Sequence, residues 1–215
     1  MAGEHVIMIG PPGSGKGTQA SRVADKMDLE HISTGDLLRD AVDRGTGLGR
    51  EAEGFMKKGL LVPDEVMLGL IREQIEELGD GGWILDGFPR TLPQAEALTA
   101  LLEEKGLDID HVVLIDVGRE EIVERLTSRR VCKDCGTVYN LATMPEGVDE
   151  KCAKCGGELV KRSDDDEETV KRRLDVYEEQ TAPVLDFYRR TVGVTEIDGS
   201  GEIDEITAEI IRAMR

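Results

Sequence analysis

Gly10-Pro11-Pro12-Gly13-Ser14-Gly15-Lys16-Gly17-Thr18 is a glycine-rich stretch with one lysine, set directly after the apolar run His5-Val6-Ile7-Met8-Ile9. Glycines let a backbone turn until several N–H groups face one anion, and a following helix adds its N-terminal dipole. Lys16 would then reach the β and γ phosphates of a nucleoside triphosphate, with the Thr18 hydroxyl near Mg²⁺. Gly13, Ser14, Gly15, Lys16, Gly17 and Thr18 are therefore candidate triphosphate-binding residues. Gly17 stands where the general G-x-x-x-x-G-K-[ST] pattern wants a hydroxyl, so switch GTPases and motor ATPases fit less well. No guanine-reading N-K-x-D follows a strand either.

The cysteines offer chemistry of another kind. Cys132-Lys133-Asp134-Cys135 and Cys152-Ala153-Lys154-Cys155 are two knuckles, and they hold all the cysteines of the chain. Their separation is that of a zinc ribbon with tetrahedral S₄ coordination. His5, His31 and His111 lie elsewhere, so no further ligand is at hand. A closed S₄ site leaves no position for water, and its Zn²⁺ would be structural. Iron, or a pair of disulfides, would be the other uses of four such thiols. A secreted disulfide framework would spread its cysteines through the chain, whereas confinement to one segment fits a reducing compartment. An RNA-binding ribbon would show a basic, aromatic surface. The segment 132–155 has fewer basic than acidic residues and one aromatic, Tyr139.

Two further clusters face the same chemistry. Ile32-Ser33-Thr34-Gly35-Asp36-Leu37-Leu38-Arg39 sets a threonine and an arginine about one helical turn apart. Leu85-Asp86-Gly87-Phe88-Pro89-Arg90-Thr91-Leu92-Pro93-Gln94 follows an apolar run, and α/β ligands sit beyond such strand ends. Taken together, G-x-P-G-x-G-K-G-T, I-S-T-G-D-x-L-R and L-D-G-F-P-R-T-x-x-Q closely resemble the adenylate kinase family. The resemblance runs from residue 5 to the C-terminal helix, and the long cysteine-bearing segment is similar to the zinc-binding, long-lid members.

That resemblance implies reversible transfer of the γ-phosphoryl of ATP to AMP, giving two ADP, with Mg²⁺. It implies that Thr34, Arg39, Leu60, Leu61, Val62, Gly87, Phe88, Pro89, Arg90 and Gln94 bind AMP, with Gln94 reading the adenine edge. Asp86 matches a carboxylate that organises Mg²⁺ through water. Arg125, Arg129, Val138 and Tyr139 match positions around ATP. Arg162 and Arg173 match the arginines of R-x-D-D-x-x-x-T-x-x-x-R-L, which contact the phosphates and AMP. The catalytic set so implied is Lys16, Asp86, Arg90, Arg129, Arg162 and Arg173. Guanidinium groups bind phosphate oxygens in pairs, which lysine does not reproduce. A loose phosphoryl-transfer transition state needs positioning and positive charge, and a phosphate acceptor is already ionised, so no general base is expected.

The elements that must hold these groups read as strands alternating with helices. Apolar runs at 5–10, 82–86, 111–117 and 192–198 predict strands. Periodicity near 3.6 predicts helices over 63–78, 92–105, 119–129 and 202–214. The expected class is α/β, a three-layer fold with a central parallel sheet. Thr34–Val62 is helix-prone with no strand expected before it, and Arg130–Arg162 has little periodicity. Ser163 would cap a long helix whose first turn is Asp164-Asp165-Asp166. The expected division is a core of 1–33, 63–128 and 164–215, an AMP-binding insertion at 34–62 and a zinc-binding lid at 129–163.

At 215 residues the chain makes one domain with insertions. Asp and Glu number 45 against 27 Lys and Arg, a formal charge of −18. That field repels nucleic acid and anionic membranes, and neither is an expected partner. No stretch approaches the roughly 18 apolar residues of a membrane span, and Met1–Gly10 lacks a signal peptide's basic start. A cytoplasmic monomer binding ATP, AMP and ADP is expected. The acidity is either a solubilising coat or an adaptation to high salt. If the latter, counterions relieve self-repulsion, and the melting temperature climbs with added KCl. A flat salt profile in scanning calorimetry would exclude it.

Overall fold

The computed structural model describes residues 3–79, 81–141, 144 and 151–215. Positions 142–143 and 145–150 of the expected lid lie outside the described residues. The first half of the chain runs β1 (His5–Ile9), α1 (Lys16–Met27), β2 (Glu30–Ser33), α2 (Thr34–Asp43), α3 (Gly47–Lys57), α4 (Asp64–Leu78), β3 (Trp83–Asp86) and α5 (Leu92–Lys105). There follow β4 (His111–Asp116), α6 (Arg119–Thr127), β5 (Arg129–Cys132), β6 (Val138–Asn140) and β7 (Leu159–Val160). The chain closes with α7 (Glu167–Val176), a π-helical turn (Tyr177–Thr181), α8 (Ala182–Thr191), β8 (Thr195–Asp198) and α9 (Ile203–Ala213).

Five parallel strands form the central sheet in the order β2-β3-β1-β4-β8, the α/β class expected. Successive strand residues alternate between its two faces. Ile7, Ile9, Leu85, Val112 and Leu114 pack on one side against α4, α5 and α8. Val6, Met8, Ile84, Val113 and Ile115 pack on the other against α1 and α9. Both faces are buried, so the strands read as continuous apolar runs. A separate antiparallel sheet, β6-β5-β7, carries the cysteines. Among the described residues no helix is long and apolar enough to cross a membrane.

Four expectations are corrected. A fifth strand, β2, does precede Thr34; it is a four-residue edge strand paired to β3 alone, with Glu30 exposed and His31 half-buried, too short and too polar to read as an apolar run. The helix expected to reach Arg129 ends at Thr127, and Arg129 opens β5. The strand expected from Val192 starts at Thr195, because α8 extends to Thr191 and Gly193 turns the chain at φ 99°. The cap of α7 is Asp166, which accepts from the Thr169 N–H at 3.0 Å, and Ser163 is not that cap. Asp164 and Asp165 are drawn instead into ion pairs with arginines.

Helices α2 and α3 touch closely through a glycine. A Cβ on Gly49 would lie 2.0 Å from the Ala41 carbonyl oxygen, whereas one on Gly54 would meet nothing within 4 Å. Gly49→Ala is therefore expected to cost about 1–3 kcal/mol by overpacking. Gly54→Ala, on the exposed side of the same helix, should gain up to about 1 kcal/mol from helix propensity. Urea midpoints of the two variants, moving in opposite directions at constant m, are the check.

Candidate active site

The glycine-rich loop joins the end of β1 to the start of α1. Gly13 and Gly15 adopt φ of 86° and 92°, the left-handed region that favours glycine, and Gly15 is the N-cap of α1. A loop of this shape turns N–H groups and a helix dipole toward one point. Lys16 folds back over it, its Nζ donating to the Pro11 carbonyl at 3.0 Å. Because Met8 of β1 pairs with Asp86 of β3, the Asp86–Arg90 segment leaves the sheet right beside this loop.

Between the loop, α2–α3 and α7 lies a cleft of about 1010 Å³, its open mouth included. Of the sequence-predicted residues, Lys16, Thr34, Arg39, Leu60, Leu61, Val62, Gly87, Pro89, Arg90, Gln94 and Arg173 line it. Phe88 does not; it is buried in the core beside them. Thr34 is fully buried and donates to the Gly87 carbonyl at 2.9 Å, and Arg90 Nε donates to the same carbonyl at 2.7 Å. Gln94 is buried as well. Its Oε1 accepts from the Arg90 N–H at 2.7 Å, and its Nε2 donates to Asp64 Oδ1 at 2.6 Å.

The arginines come from distant parts of the chain and meet carboxylates. Arg129 makes a two-pronged pair with Asp165, at 2.8 and 2.6 Å, and Asp165 is completely buried. Arg173 reaches Asp164 at 2.9 Å and Asp165 at 3.3 Å. Arg39 pairs with Asp36 at 2.6 Å, and Arg162 lies 3.9 Å from the same carboxylate. Burial pulls the Arg90 and Arg162 guanidiniums down to about 10, and neighbouring arginines add to that pull. Burial likewise pulls Lys16 down to about 8; Asp86 opposes the shift while Arg90, Arg173 and Arg129 reinforce it. For Asp86 burial works upward, but His31, Lys16 and Arg90 outweigh it and hold the carboxyl below its ordinary value. Its Oδ1 is buried without a protein partner. Asp36, Asp64, Asp164 and Asp165 are the site's neighbours that sequence reasoning missed. The R-S-D-D-D run flagged two of them, but as a helix start.

Arg125 sits apart, donating to the Gly199 carbonyl at 2.8 Å and pairing with Glu121. Val138 is exposed on β6, and the Tyr139 hydroxyl lies 3.2 Å from Cys152 Sγ, so neither lines the cleft. The sulfurs of Cys132, Cys135, Cys152 and Cys155 all lie within 4.8 Å of one another. The closest pairs, at 3.4 and 3.5 Å, are too far for a disulfide near 2.05 Å. They suit the edges of a four-thiolate metal site.

The family profile for adenylate kinase matches residues 8–192, most of the chain. The chain belongs to the adenylate kinase family. The adenylate kinase of Archaeoglobus fulgidus is 50% identical over 207 residues, 96% of this chain and 95% of that protein. That of Petrotoga mobilis is 49% identical over 98% of this chain and 97% of its own, and that of Moorella thermoacetica matches equally well, at 49% over 98% and 97%. Adenylate kinase activity, a phosphotransferase activity on nucleoside monophosphates, follows from that membership.

The depressed Lys16 ammonium has a consequence for an adenylate kinase. A bound polyphosphate favours the charged lysine, so the complex holds its proton to higher pH than the free enzyme does. Affinity for ATP, whose phosphates are already fully ionised in this range, should therefore be greatest below pH about 8 and fall as the pH rises beyond it. Titration calorimetry in buffers of different ionisation heat should show proton uptake at pH 9. Lys16→Met should show neither effect, and a flat wild-type profile from pH 8 to 9.5 would refute the assignment.

Proposed function

We propose that the cleft passes the γ-phosphoryl of Mg·ATP to AMP, giving two ADP, reversibly. One observation carries this reading: Lys16, Arg39, Arg90, Arg129, Arg162 and Arg173 converge on one site in a chain of formal charge −18. Such a gathering is costly in itself, since each cation repels the others and Asp36, Asp86, Asp164 and Asp165 offset that only in part. It suits two polyphosphates brought end to end, whose transition state asks for positioning and positive charge.

In this reading Gly13 to Thr18 hold the ATP phosphates, with Lys16 as the key charge. Arg125, Val138 and Tyr139 flank the ATP. Thr34, Arg39, the Leu60–Val62 backbone, Gly87 to Arg90 and Gln94 hold AMP, and Arg129, Arg162 and Arg173 grip the phosphates in flight. The acceptor oxygen is already ionised, so no side chain removes a proton. The ionised Asp86 carboxylate beside Gly17, with its Oδ1 free of protein partners, fits a hydrated Mg²⁺, and a Cβ at Gly17 would crowd its Oδ2 at 3.1 Å. When bound with ATP, Mg²⁺ neutralises charge on the phosphates. Four convergent thiols fit Zn²⁺, which would brace the cysteine-bearing sheet and supply no chemistry.

The reading assigns a core of 1–33, 63–128 and 164–215, an AMP-binding insertion at 34–62 and a zinc-binding lid at 129–163. Closure of both segments would exclude water and keep ATP from being wasted by hydrolysis. The setting is a cytoplasmic monomer that binds neither nucleic acid nor membrane. Ion-exchange analysis after incubation with Mg·ATP and AMP, GMP, CMP or UMP in turn, at low and molar KCl, tests the proposal. ADP should form with AMP alone and disappear with Lys16→Ala. Turnover with another monophosphate would reassign the acceptor pocket, and phosphate release without transfer would make the protein an ATPase.

A further inference from the structure

An amide such as that of Gln94 can turn over, exchanging oxygen for NH₂ with almost no change of shape. The two orientations read opposite base edges. Adenine offers a donor at its 6-amino group beside an acceptor at N1; the 6-oxo purines offer an acceptor at O6 beside a donor at N1. A freely turning glutamine would therefore serve both. Here the amide is gripped on both sides by groups of fixed polarity. On one side is Asp64, whose carboxylate only accepts; on the other is the Arg90 backbone N–H, which only donates. Reversal would set Oε1 against a carboxylate and NH₂ against an N–H. Asp64 is itself held, because the Thr91 hydroxyl donates to its second oxygen at 3.0 Å, and Thr91 also caps α5 through the Gln94 N–H. One lone pair of Oε1 and one hydrogen of Nε2 remain for a ligand, on a buried residue that lines the cleft.

We propose that Asp64 is a specificity-determining positioning residue, locking the Gln94 amide so that the acceptor site takes 6-amino purine monophosphates and rejects 6-oxo ones. This rests on the reading that Gln94 faces the acceptor base. Asp64 touches no substrate; it acts through Gln94, and the Arg90 backbone completes the lock. A mismatched edge leaves buried polar groups unpaired, which penalises a substrate far more than the loss of one contact does.

The test compares kcat/KM for AMP and for inosine monophosphate, at saturating Mg·ATP, in wild type, Asp64→Asn and Gln94→Leu. An asparagine presents either polarity, so Asp64→Asn removes the carboxylate's half of the lock and should raise the inosine-to-adenosine ratio several-fold, the Arg90 N–H still opposing full reversal, while leaving KM for ATP within about twofold. A merely structural role would slow both acceptors alike and leave the ratio where it was. Asp64→Ser carries the same test should the asparagine variant not fold. Gln94→Leu should also collapse the discrimination. If Gln94→Leu does so and neither Asp64 variant shifts the ratio, the lock is wrong and the base pocket stands. If Gln94→Leu leaves the ratio unchanged, Gln94 does not read the base and the inference falls with it.

Discussion

Six cations drawn together, four lining the cleft and Arg129 and Arg162 beside it, repel one another, and the rest of the site answers that constraint. Burial and mutual repulsion pull down Lys16, Arg90 and Arg162 together. Asp36, Asp86, Asp164 and Asp165 relieve the strain by standing where charge of the opposite sign is needed. Pairs of this kind contribute little net stability, since desolvation offsets the Coulomb gain. What they provide is placement. A carboxylate offers an arginine two oxygens in a plane, the same fork a phosphate offers. Arg129 is thus held on both oxygens of Asp165, and one nitrogen of Arg173 is shared by Asp164 and Asp165.

The sheet explains how such distant residues meet. Strands β1 and β3 are neighbours in register, so the phosphate loop and the Asp86–Arg90 segment leave the same edge side by side. Strand β2 lies next to β3 and places Thr34 against the Gly87 carbonyl. A Cβ on Gly87 would come within 2.8 Å of the Thr34 hydroxyl and 3.0 Å of Arg90. Glycine there permits the close approach, and φ of 81° adds to the preference. From this edge the chain also departs into α2–α3 and, after α6, into the cysteine-bearing sheet.

Groups whose chemistry is local are legible in the sequence itself. The loop 10–18, the Asp86–Gln94 segment and the two cysteine knuckles each carry their chemistry within a few residues, and the interior strands declare themselves by apolar runs. What escapes such a reading is set by partners far along the chain. Strand β2 exists because β3 offers it an edge, and its own residues alternate too briefly to say so. Asp165 reads as part of a helix start, yet its partner Arg129 lies 36 residues earlier. Asp64 gives no signal at all, since its meaning depends on Gln94, 30 residues on. Long-range polar pairing has no periodicity to betray it.

The acidic surface and the basic cleft pull nucleotides in opposite directions, and ionic strength decides between them. At about 0.15 M salt a charge is felt over roughly 8 Å, so an approaching polyanion meets the outer repulsion before the cleft's attraction. Near 1 M that range shrinks to about 3 Å and the outer repulsion fades. Contacts inside the cleft fade less, because buried pairs lie beyond the reach of much of the screening ions. Bonds made at contact distance are therefore the part of anion recognition that strong salt weakens least. Under a surface rich in carboxylates, a cleft lined by Arg39, Arg90 and Arg173 beside a single lysine, Lys16, would depend on such contacts for any anion it binds once long-range steering is gone.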